Sequence, residues 1–89
     1  MSVVLKKVKL VNENGLHARP ATKVVETANK FSSNIVIIKD GMEVNSKSVI
    51  ELLTLAACVG TQLTIKATGE DAEEAVNALY ALIKSGFSE

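Results

Sequence analysis

The chain has no tryptophan, one cysteine, one proline and one histidine, and aromatic residues make up only 3% of its 89 positions. A core of aromatic bulk is therefore excluded, and Val, Ile, Leu and Ala must build it. The lone Cys58 rules out an intramolecular disulfide. One cysteine and one histidine cannot supply the usual four-ligand zinc set, so no metal is expected. Net charge is missing too: ten basic residues balance ten acidic ones for a formal charge of +0, which removes any global pull toward nucleic acid or an anionic membrane. No apolar run approaches the ~18 residues of a membrane span. Lys6, Lys7 and Lys9 interrupt the first apolar stretch as no signal-peptide core tolerates. The expectation is a cytoplasmic protein that contacts neither nucleic acid nor a membrane and carries no cofactor.

What the chain does contain is patterned throughout. No repeat, low-complexity tract or linker divides it, and residues 1–89 read as one domain, large enough to fold but with a thin stability margin. Val3 to Val11 is rich in β-branched residues and ends at the turn-forming Asn12, Glu13, Asn14, Gly15, which reads as a strand and then a loop. Ala21, Val24, Val25 and Ala28 recur at helical spacing, with Pro20 near the first turn, where a missing N–H does no harm. Ile35 to Ile38, the Asp40-Gly41 turn signal and Met42 to Asn45 predict a hairpin. Ser48 and Glu51 form a capping-box pattern that opens a second helix, expected to run on toward Val59. Gln62 to Thr68 alternates as a strand with one covered face. A second capping-box pattern, Asp71 to Glu74, opens a last helix that should stop at Gly86, with Phe87 packing back. The order is βαββαβα, which predicts an α+β fold with helices on one face of a four-stranded sheet.

Asn14, Gly15, Leu16, His17, Ala18, Arg19, Pro20 and Ala21 place an imidazole and a guanidinium where a loop meets a helix. The first N–H groups of a helix lack internal partners, and the dipole puts positive charge there, so this is an anion-binding position. A neutral imidazole there presents a bare ring nitrogen, which is a nucleophile. Arg19 offers a fork of donors suited to phosphate oxygens.

The run Gly15-Leu16-His17-Ala18-Arg19-Pro20-Ala21 resembles the phosphorylation-site signature of the histidine-containing phosphocarrier (HPr) family of the bacterial sugar phosphotransferase system. The likeness extends over nearly the whole chain, through Lys47-Ser48 and the Gly69-to-Asp71 start of the last helix. It implies an open-faced β-sandwich with a four-stranded antiparallel sheet. It also implies that His17, through Nδ1, accepts a phosphoryl group from enzyme I, which phosphoenolpyruvate charges, and delivers it to IIA proteins. Arg19 would steady the phosphate, and the backbone N–H groups of Ala18 and Arg19 would cap its oxygens. The chain would be a monomeric carrier, not an enzyme.

Ser48 aligns with the family's regulatory serine, which implies a serine kinase/phosphorylase and a transcriptional regulator as further partners; Ser46 is a competing hydroxyl. From Val49 to Val59 two apolar stripes run: Leu52, Leu55, Ala56 and Val59, and Ile50, Leu53 and Ala57. A helix on a sheet buries one of them. The resemblance assigns the first to the core and makes Val49, Ile50 and Leu53 a docking patch. Glu26 and Glu51 depart from the family's usual charge pattern and bear on partner choice. A nitrogen-related or purely regulatory carrier uses the same motif, and a non-phosphorylated interaction domain could share the layout without it. The sequence places no second titratable group beside His17 to complete a catalytic site, and a carrier needs none.

Overall fold

A computed structural model describes residues 2–88. The elements are β1 (Ser2–Lys9), α1 (Ala18–Ala28), β2 (Asn34–Lys39), β3 (Met42–Asn45), α2 (Val49–Thr54), β4 (Gln62–Gly69) and α3 (Ala72–Lys84), followed by a 3-10 turn at Gly86–Ser88. The strands form one antiparallel sheet in the order β1-β4-β2-β3, with Ile65 of β4 opposite Lys6 on one side and Ile37 on the other. Leu63, Ile65 and Ala67 point into a core that also takes Ile35, Ile37 and Val44 from the sheet and the apolar faces of all three helices. Their partners in the alternation, Gln62, Thr64, Lys66 and Thr68, lie on the uncovered face. The result is the expected open-faced sandwich.

The first and last helices bury the faces that their spacing predicts, with Val25 only partly buried. Ala21, Val24 and Ala28 are buried in α1, and Ala72, Ala75, Val76, Leu79 and Ile83 in α3. Each fully buried Leu, Ile or Val contributes about 1.5–3 kcal/mol, so these faces fasten the helices to the sheet. In the β2–β3 hairpin Asp40 and Gly41 both have positive φ, 50° and 81°, as a two-residue turn matching strand twist requires. At the other end Gly86 (φ 76°) stops α3, and Phe87 is wholly buried.

Four details differ from the sequence expectation. β1 ends at Lys9 rather than Val11: Leu10 is buried past it, bonded through its backbone to Gly60 and Thr61, and Val11 is exposed. α2 ends at Thr54, because Ala56 takes a left-handed conformation (φ 48°) that no glycine announces. Ala56 and Val59 consequently leave the core stripe for the surface, and Ala57 is buried instead. Only half of the first capping box forms: Ser48 Oγ accepts from the Glu51 N–H at 3.2 Å, but the Glu51 carboxylate accepts from the Asn45 N–H at 3.0 Å. The Asp71 side chain caps nothing in α3. It accepts instead from the N–H groups of Ser32 (2.8 Å) and Ser33 (2.9 Å) and from the Ser33 hydroxyl.

Candidate functional site

His17 is the N-cap of α1, in extended conformation, and its carbonyl accepts the first helical bond from Ala21 N–H at 3.0 Å. Three residues then precede Ala21: Ala18, Arg19 and Pro20. Their amides have no carbonyl available within the helix, and Pro20 has no N–H, so Ala18 and Arg19 provide the donors at this end. The first turn contains no acidic residue to compete for them. Ala18 and Arg19 are exposed, and Pro20 is buried and anchors the turn. The His17 ring is half-buried, with Nε2 turned into the protein.

The loop before His17 is held on two sides. Asn12 Nδ2 donates to the Gly15 carbonyl at 2.6 Å, and the Gly15 N–H donates to the Asn12 carbonyl at 3.1 Å. Opposite, the Leu16 N–H donates to the Ala57 carbonyl at 2.9 Å. Gly15 (φ 68°) is required here because a Cβ would run into that carbonyl oxygen. Together these contacts shape a recess of about 330 Å³ in which His17 meets Leu16, Glu13, Ala57, Cys58 and Val59. The sequence reading put Ala57 and Val59 on apolar stripes of the second helix but not against the His17 loop, since the approach joins segments about forty residues apart. Glu13 is a titratable group in the recess that local spacing did not single out.

Ser48 is the N-cap of α2 and half-buried, whereas Ser46 is fully buried with its hydroxyl donating to the Ile35 carbonyl at 2.9 Å. On α2, Leu52 and Leu55 are buried, while Ile50 is 78% and Leu53 40% exposed. Val49 is partly buried against the core, so it edges the exposed pair. Among the described residues no helix is long and apolar enough to cross a membrane, and no group of three or more His, Cys, Asp or Glu could hold a metal ion.

A family model for the PTS HPr component phosphorylation site matches residues 4–85. The phosphocarrier protein HPr of Haemophilus influenzae is 47% identical over 78 residues, covering 88% of this chain and 92% of that protein. HPr from Thermoanaerobacter tengcongensis superposes with a TM-score of 0.90 at 44% identity, covering 100% of this chain and 98% of that one. The Bacillus subtilis catabolite-repression protein Crh, solved as a swapped, intertwined dimer, superposes with a TM-score of 0.76 at 42% identity, covering 93% and 95%.

Proposed function

Because this chain belongs to the HPr family, whose members are phosphocarriers of the phosphotransferase system and not enzymes, we propose that His17 accepts a phosphoryl group from phosphorylated enzyme I and passes it to IIA proteins serving sugar uptake. The observation that carries this reading is the position of His17 at the cap of α1, ahead of two exposed residues whose amides lack helical partners and an acid-free first turn. Burial of Nε2 supports Nδ1 as the nucleophile. Nδ1 forms the new P–N bond as the phosphoryl group's bond to its donor breaks. The Ala18 and Arg19 N–H groups and the Arg19 guanidinium then meet the oxygens with charge-assisted hydrogen bonds. The helix dipole acts in the same direction. Transfer onward is the same step in reverse order, so neither side of the exchange needs a separate acid or base on this chain.

Ser48 is the proposed regulatory site. A phosphate there gains from the start of α2 but brings close to two negative charges to the surface that a phosphorylated donor must approach. Val49, Ile50 and Leu53 are the proposed docking patch for enzyme I and IIA proteins. An apolar group as exposed as Ile50 is otherwise a liability. A serine kinase/phosphorylase and a transcriptional regulator belong to the same reading, as does a cytoplasmic location. Likeness to Crh favours a regulatory output as the second reading. The working unit is a monomer, since one chain carries His17, Arg19 and Ser48; sedimentation analysis tests this against the exchanged dimer of Crh.

Incubation with phosphoenolpyruvate and enzyme I, followed by intact mass measurement, tests the main reading. One added phosphoryl group, stable in base and lost in acid, is the expected outcome. No addition, or an acid-stable one, would remove it. NMR of the labelled imidazole then distinguishes Nδ1 from Nε2.

A further inference from the structure

Lys39, at the end of β2, is half-buried, and its ammonium donates to the Leu55 carbonyl at 2.9 Å. Leu55 is the C-cap of α2, where helical carbonyls lack internal partners and the dipole is negative. The chain then turns through left-handed Ala56 to buried Ala57, whose carbonyl holds the N–H of Leu16, the residue before His17. Two hydrogen bonds and the short stretch between Leu55 and Ala57 thus join the Lys39 ammonium to the backbone of the acceptor loop. The join has little slack, because Gly15 is packed so closely on the Ala57 carbonyl that no side chain fits.

We propose that Lys39 is a positioning residue for phosphoryl transfer: by fixing the Leu55 carbonyl it holds the Ala57 carbonyl in register with Leu16, and so sets where His17 stands. The proposal rests on His17 being the acceptor. Reacting atoms must meet within tenths of an ångström of the productive geometry, so small drift in this wall costs rate without unfolding the protein. Lys47 supplies a matched control. Its ammonium donates to the Phe31 carbonyl, also at 2.9 Å and also part-buried, but past the end of α1 opposite to His17.

Amide hydrogen exchange and single-turnover transfer from phosphorylated enzyme I, measured on the full chain, test the link. Lys39→Met should speed exchange at Leu16 by about ten-fold while Ile65, in mid-sheet, keeps its protection. The saturating transfer rate should fall about ten-fold, with the half-saturating donor concentration changed by less than about two-fold. Lys39→Arg should restore most of both. Lys47→Met should leave Leu16 exchange unchanged. Unaltered Leu16 exchange in Lys39→Met, equal acceleration in Lys47→Met, acceleration reaching Ile65, or faster exchange with an undiminished saturating rate would each overturn the proposal. If the parent chain takes no phosphoryl group at all, it is the acceptor reading that fails, and Leu16 exchange alone then decides whether Lys39 governs the loop.

Discussion

At the start of α3, Glu73 and Glu74 occupy the first turn and the N-cap Asp71 sends its carboxylate across to Ser32 and Ser33; at the start of α1 there is no acid, and the N-cap is His17. Both ends offer the same unsatisfied amides and the same positive field. In α3 the chain's own carboxylates answer that field, and the cap residue ties two segments of the fold together. In α1 nothing acidic answers it, and proline removes one donor while anchoring the turn. The contrast separates a helix start used for stability from one that, on the proposed reading, receives an incoming anion. α2 lies between the two: Ser48 serves as an ordinary cap, yet a modification of the same hydroxyl would alter the surface beside it.

Substitutions that affect transfer and stability separately sharpen this comparison. Among variants that keep His17, the largest expected effect on transfer lies just outside the three caps, on the exposed stripe of α2. Ile50→Asp and Leu53→Asp should each weaken engagement with enzyme I by roughly thirty-fold, as loss of a ~2 kcal/mol hot spot implies, with near-native melting. Severe unfolding of either variant would show that the stripe is core. Arg19→Ala should slow transfer roughly ten-fold by removing a charge-assisted partner, again without loss of melting temperature. An unchanged rate would leave the backbone amides as the whole anion cradle. Ser48→Asp, a partial mimic of the phosphate, should slow transfer by about three-fold with the domain still folded. Ser48→Ala should instead cost about 1 kcal/mol of stability and leave the rate alone.

The smallest expected effect on transfer is at α3. Hydrogen bonds from the Ser33 hydroxyl and then the Ser32 N–H hold the Asp71 carboxyl below its ordinary value of 3.8. A folded-state value below the unfolded one means that the stabilisation is fully present above the ordinary carboxylate value and is lost as pH falls through the depressed one. Asp71→Asn should therefore melt lower than the parent at neutral pH, with the difference shrinking in acid, and should transfer phosphoryl groups at the parental rate. A transfer defect in folded Asp71→Asn would break the division between the two helix starts.

Periodicity in the sequence made the helical faces legible, because Ala21, Val24 and Ala28, like Leu79 and Ile83, need only one covered side to be read. The β4 alternation and the Asp40-Gly41 turn were legible for the same local reason. Ala56 was not: alanine carries no sign that tertiary packing will force a left-handed turn and end α2 early. Asp71 shows a second limit, since a local capping pattern at the right spacing was overridden by serines that the fold brings up from 38 and 39 residues away. At the candidate site the motif pointed to His17, Arg19 and the adjoining amides. The contact of the Ala57 carbonyl, Cys58 and Val59 with the loop before His17 entered only through the fold, because it depends on how α2 closes onto that loop.

The central claim is that the start of α1 is kept for a phosphoryl group on His17. Its most direct test is labelling of the parent chain and of His17→Ala side by side with phosphoenolpyruvate and enzyme I, with intact masses read at neutral pH and again after acid. The account predicts one acid-labile phosphoryl group on the parent and none on a normally folded His17→Ala. An acid-labile group of equal yield on His17→Ala would contradict it.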